Sequence, residues 1–230
     1  MIFLGVIFFP GCIHLGEKDY PFDFGLYEDG PMPPSVAQWL KGGVQSAVTP
    51  RIAAEAEKIS GRNRRERLLR GMEHVWKSFS YDSWFNTGRF LRTADELYER
   101  RVLGGCSDYA LVEIALFRAL GIPSRMVMTA SVDWIYQYRQ DDLTMTQGHS
   151  FIEVFLEQRW HLVDTTFRWL FSDYDPCVSS YPHGEYLCMR GKDFWDMGIM
   201  GPDDLDKVMS ALALDYAGDF TEPLYPKDPI

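Results

Sequence analysis

A cysteine that follows two glycines, together with a histidine and an aspartate fifteen residues apart, gives this 230-residue chain the side chains for thiol-dependent acyl chemistry. Cys106 comes directly after Gly104-Gly105 and opens an apolar run that continues to Leu120. A sulfur at the start of a helix faces the positive end of the macrodipole and the unpaired amides of the first turn. That setting lowers a thiol pKa and offers donors for an oxyanion. The glycines let a substrate backbone approach closely. An isolated cysteine is more often a packed small side chain, so the weight rests on its partners.

Those partners lie on a sequence that reads as a hairpin, Ser150-Phe151-Ile152-Glu153-Val154-Phe155-Leu156 and Trp160-His161-Leu162-Val163-Asp164-Thr165. With a two-residue Glu157-Gln158 loop, opposed residue numbers sum to 315, so Asp164 faces Phe151 and His149 faces Thr166. His149 and Asp164 then share a face as diagonal neighbours about 7–8 Å apart at the backbone. A three-residue loop without a bulge would send them to opposite faces. In the first register Cys106 attacks an acyl carbon, His149 acts as base and then acid, and Asp164 orients the imidazole.

The elements that must carry these residues are legible around them. Pro50 suits the first turn of a helix, and Asn63 suits the cap of a longer one whose Leu68, Leu69, Met72, Val75, Trp76 and Phe79 form one apolar, core-facing side. Thr93 and Glu96 have capping-box spacing, predicting a short helix over residues 93–101 that Gly104-Gly105 stops. The helix opened by Cys106 is apolar nearly all round, hence central, and Gly121 closes it. A strand is expected over residues 125–130, a polar loop over 133–148, and a helix after Pro202. No internal repeat is visible.

The chain is 46% hydrophobic with a formal net charge of -10, which fits one domain and excludes a nucleic-acid backbone as the primary partner. Residues 1–18 hold an apolar run, Ile2 to Phe9, ending at Pro10-Gly11-Cys12. It is too short to span a bilayer. It reads as a secretory signal with Cys12 as a lipidation site and membrane tether, placing the protein in the cell envelope; the alternatives are a buried strand and a cytoplasmic protein. Residues 19–48 read as an extended N-terminal arm, whose Asp19 to Pro34 stretch, rich in Pro, Gly and acidic residues, is expected outside the core, and residues 49–230 as the catalytic domain. Cys177 and Cys188 are either a disulfide closing a short loop or two reduced thiols. No pair among His149, His161 and His183 has a usual ligand spacing, so no metal and no cofactor are expected, and a monomer is.

Four segments in order, Gly105-Cys106-Ser107-Asp108-Tyr109-Ala110, Arg118-Ala119-Leu120-Gly121-Ile122-Pro123-Ser124-Arg125, His149-Ser150-Phe151-Ile152-Glu153-Val154 and Trp160-His161-Leu162-Val163-Asp164-Thr165-Thr166, resemble the core of the transglutaminase-like superfamily, over roughly residues 64 to 167. Arg92-Thr93-Ala94-Asp95-Glu96-Leu97 resembles the segment that precedes the family's cysteine. The resemblance implies an α+β fold of the papain and transglutaminase type, with the cysteine helix packed on an antiparallel sheet that carries His and Asp. It also implies a Cys-His-Asp enzyme that acts on an amide bond in a peptide, protein or cell-wall-associated substrate, more often a hydrolase than a cross-linker. The side-chain oxyanion donor is open among Trp84, Asn86 and Tyr109, with Trp84 or Asn86 preferred. Ser150 stands where the family usually has a small apolar residue. A catalytically idle, surface-tethered scaffold domain is the alternative function.

Overall fold

The computed structural model describes residues 28–140, 146–216 and the backbone of 227–229. The segment expected to be a signal, with Cys12, and the first part of the arm lie outside the described residues. In chain order the helices are α1 (Pro34–Ala37), α2 (Pro50–Ala56), α3 (Arg64–Ser78), α4 (Ala94–Arg100), α5 (Cys106–Ala119), α6 (Val132–Arg139) and α7 (Pro202–Asp215). The strands are β1 (Ser80–Tyr81), β2 (Val102–Leu103), β3 (Ser124–Ser131), β4 (Ser150–Leu156), β5 (Arg159–Asp164), β6 (Trp169–Asp173), β7 (Ser180–Tyr181), β8 (Glu185–Gly191) and β9 (Lys227–Pro229). β1 and β2 pair in parallel, and the other seven form one antiparallel sheet in the order β7-β8-β3-β4-β5-β6-β9.

α5 lies against the centre of this sheet. Its mid-section Leu111, Ile114, Leu116 and Phe117 is buried, as is the strand face Ile152, Val154, Leu156 and Val163, and both belong to one core cluster. Burying each large side chain contributes about 1.5–3 kcal/mol, so the register between α5 and the sheet is firmly set. The opposite face is also covered: Val127, Phe151, Leu162 and Phe171 pack with Tyr174 and Tyr181 from the segment leading to β8. β4 is therefore buried along its whole length. Gly121 ends α5 at φ +75, and the N–H of Ile122 reaches back to the carbonyl of Phe117, the closure a glycine in the left-handed region permits.

Two expectations need correction. Residues 132–139 are helical rather than loop: Ser131 caps the Trp134 amide, and Trp134 and Ile135 bury their side chains. The last part of the arm, residues 35–48, is fastened to the domain. Val36, Gln45 and Ser46 are buried; Gln45 donates to the carbonyls of Phe90 and Arg92, while the Arg118 guanidinium donates to Trp39, Ser124 and Lys192 carbonyls and to Ser46 Oγ. These backbone carbonyls need donors once buried, and that need ties the segment down. Trp76, expected in the core, is about half exposed and lies under the Arg168 guanidinium, 4.5 Å from its ring centre.

Candidate active site

The hairpin turn decides the site. Glu157 and Gln158 both have positive φ, 50° and 64°, the two-residue turn whose twist matches that of the strands. The register pairs Ile152 with Val163 and Leu156 with Arg159, so the numbers of opposed residues sum to 315. His149, one residue before β4, and Asp164, the last of β5, meet with Nε2 and Oδ2 3.0 Å apart. Cys106, first residue of α5, stands next to them, its thiol interacting with the His149 ring and with the backbone N–H of Ser150. Nε2 is taken by Asp164, so the ring nitrogen left for Cys106 is Nδ1. The structure thus brings together the three residues singled out from the sequence.

Local chemistry places the cysteine. No side chain caps α5 at Gly105, and with the Asp108 and Tyr109 amides bonded to the Gly105 carbonyl, those of Cys106 and Ser107 are the ones placed for a ligand. Asp108 Oδ2 instead accepts the N–H of Gly104 at 2.9 Å and faces Arg92 Nη2 at 3.5 Å. Arg92 also lies 3.7 Å over the Phe85 ring and donates to the Phe85 carbonyl, so one guanidinium fastens the 3-10 turn Ser83–Gly88 to the start of α5. The fit there is tight. A β-carbon on Gly104 would stand 2.3 Å from the Asn86 amide nitrogen, so only glycine allows the turn this close.

The electrostatics are those of a coupled thiol and imidazole. Burial opposes the Cys106 thiolate, but the His149 charge and hydrogen bond and the Ser150 amide outweigh it, and the thiol sits below its ordinary value. Burial likewise opposes the imidazolium, and Asp164 and Cys106 together overcome it, raising His149 well above the ordinary histidine value. Asp164 is fully buried, yet His149 and His183 hold it well below the usual carboxylate range. Its Oδ1 accepts the backbone N–H groups of Thr166 at 3.0 Å and Phe167 at 3.2 Å.

The three oxyanion candidates separate. Trp84 is 82% exposed. Tyr109 is buried with its ring 6.2 Å from that of Trp76. Asn86 stands beside the cysteine turn, its accepting Oδ1 3.2 Å and its donating Nδ2 3.8 Å from where a Gly105 β-carbon would be. Cys177 and Cys188 are free, which corrects the disulfide alternative. Cys188 is the residue skipped by the pairing where β8 shifts register against β3, and its sulfur lies 3.2 Å from that of Met209 on α7, whereas Cys177 is exposed. His161 lies away from the site, 3.9 Å from Glu157 at the turn.

Sequence reasoning missed two residues. His183 sets its Nε2 3.0 Å from Asp164 Oδ2, the same oxygen that His149 uses. Glu185, buried on β8, lies with Oε2 2.9 Å from Thr129 Oγ1, which accepts the His149 N–H at 3.3 Å. Only the sheet order reveals them, since the β7–β8 hairpin joins the sheet beside β3 rather than beside β6, which precedes it in sequence.

Comparison with known proteins bears on the family and the fold. Residues 52–165 match the model of the transglutaminase-like superfamily. A candidate cysteine protease from Cytophaga hutchinsonii, 20% identical, superposes with a TM-score of 0.53 over 73% of this chain and 50% of that one, so this chain spans half the length of that protein. A second structure, a TGase, is 17% identical and covers 50% of this chain and 29% of that one at a TM-score of 0.33, too low to add to the fold assignment. No curated protein matches. The fold expected from the resemblance is the fold observed, helices on an antiparallel sheet around a papain and transglutaminase type of core. The match also supports a thiol-dependent enzyme at the level of the family. With that match and that fold, the chain belongs to the transglutaminase-like superfamily.

Proposed function

We propose that the protein is a cysteine hydrolase that cleaves an amide bond in a peptide or protein through an acyl-thioester on Cys106. The observation that carries this reading is the His149–Asp164 hydrogen bond, with the His149 ring acting on the Cys106 thiol at a helix start that no side chain caps. The Cys106 thiolate attacks the carbonyl carbon, and the first-turn amides of α5 receive the developing oxyanion. Asn86 is the side chain best placed to add a second donor. The protonated His149 gives its proton to the leaving amine as the C–N bond breaks, and the acyl group remains on sulfur. Neutral His149 then takes a proton from water, hydroxide adds to the thioester, and the acid leaves as the thiolate is restored. Throughout, Asp164 keeps Nε2–H in place, so that Nδ1 exchanges protons.

Water is favoured over a lysine amine as acceptor because solvent reaches the site at Phe167 and His183 without a partner protein: Phe167 is 47% exposed and the His183 side chain 27%. Export with lipidation at Cys12 remains part of the proposal, to be tested by the mass of the membrane-extracted protein. The function itself is tested by incubating the protein with a glutaminyl peptide with and without an amine donor. Release of ammonia and a glutamyl product in both mixtures supports hydrolysis. An amine adduct that replaces the acid makes it a transferase, and no product from either, with Cys106 unmodified, rejects an acyl enzyme for this substrate.

A further inference from the structure

Asp164 serves two imidazoles. Its Oδ2 lies 3.0 Å from Nε2 of both His149 and His183, while Oδ1 is occupied by two backbone N–H groups. An ionised carboxylate only accepts, so both rings must present an Nε2–H to it. His183 is also built into its place. It sits in the left-handed region at φ 65 between Pro182 and Gly184, a conformation a non-glycine residue holds only where its surroundings require it. Its ring is parallel to Phe151 within 4° at 6.4 Å, and lies 5.4 Å from Trp169 and 5.2 Å from Phe167.

We infer that His183 is a positioning residue that acts through Asp164, sharing its Oδ2 so as to fix the carboxylate between the two rings and to moderate the hold of Asp164 on the His149 imidazolium. The inference rests on the reading of Cys106, His149 and Asp164 as the reacting set. An oxygen that accepts two N–H bonds is a weaker partner to each than one that accepts a single bond. Removing the His183 donor leaves Asp164 to His149 alone and strengthens that pair. Other charged groups around this cluster are the Cys106 thiol and the Glu113 carboxyl from α5, Arg168 acting on Glu113, and the Glu185 carboxyl from β8, and all of them remain in the variants below.

The test is the pH profile of Cys106 alkylation by iodoacetate, whose charge favours the thiolate paired with imidazolium and so reports His149 as an alkaline limb. In His183→Phe, which keeps a ring against Trp169 but removes the donor, the limb moves up by about half to one pH unit, the size of one redistributed hydrogen bond. In His183→Gln, which restores an N–H donor, it returns to the wild-type position. A limb that stays or moves down in His183→Phe, or a Gln variant no nearer to wild type than Phe, overturns the inference. Ring 15N shifts of His183 in the wild-type protein decide it independently of any variant's folding. A proton on Nε2 is expected, and a neutral ring protonated only at Nδ1 refutes the shared carboxylate. A wild-type profile with no limb that depends on His149 would instead sink the proposed function, and the 15N shifts would still judge His183.

Discussion

Replacing Asp164 by Asn separates charge and tautomer from shape. The carboxylate accepts on both sides, two backbone N–H groups at Oδ1 and two imidazole N–H groups at Oδ2. An amide has one accepting end, so its NH2 must face one pair of donors. Facing the backbone would leave two buried amides without acceptors, at about 1–3 kcal/mol each, and backbone amides cannot change role. The imidazoles can, by moving their proton to the other nitrogen. The NH2 therefore turns to the rings, and His149 carries its proton on Nδ1, toward Cys106, where it cannot accept one. The acylation rate should fall roughly 10³–10⁴-fold, or about 4–5.5 kcal/mol in the barrier, the cost of a wrong tautomer in a triad of this kind. The burst of p-nitrophenol from p-nitrophenyl acetate measures it. An Asn variant that folds, shown by an unchanged near-ultraviolet dichroism spectrum, and acylates within three-fold of wild type would refute the reasoning.

Further outcomes follow from the same geometry. Asn86→Ala should slow acylation about 10²-fold by removing an oxyanion donor, whereas Trp84→Ala, a side chain 82% exposed, should stay within three-fold in the same burst assay. Gly104→Ala should cost about 1–3 kcal/mol in urea unfolding, because its β-carbon would meet the Asn86 backbone at 2.3 Å. His161 should make folding sensitive to acid: burial and the neighbouring Arg65 push its pKa down to about 4 in the fully buried site, against about 6.5 in the unfolded chain. The unfolded state binds the extra proton, so this stability is complete above pH 6.5 and is lost as pH falls through 6.5 toward 4, by about 3 kcal/mol. Urea midpoints at pH 7 and pH 4, with His161→Phe removing the additional slope, check it.

Much of the site was legible because its signals are local. The Glu157-Gln158 turn fixes the strand register by itself, and register alone decides whether His149 and Asp164 share a face. The glycine pair before an apolar run likewise announces α5. What was hidden depends on packing across distance. α6 reads as loop because Asp133, Gln137 and Arg139 dilute its pattern, and its Trp134–Tyr138 pair, 5.2 Å apart, matters only once the surrounding core exists. The tie of residues 35–48 to the domain is hidden because two of its partners, Arg118 on α5 and Asp193, lie more than seventy residues away. His183 follows the same rule, since nothing near Pro182 marks a partner on β5.

The central claim is that Cys106 is activated by His149, and alkylation by iodoacetamide across pH tests it most directly. Wild-type protein should react at Cys106 with an apparent pKa below that of a free thiol, in keeping with its lowered value in the fold. His149→Ala should lose that low-pH reactivity, and Cys106→Ala should lose the labelled site. A Cys106 that titrates like a free thiol and reacts at the same rate with or without His149 would contradict the account.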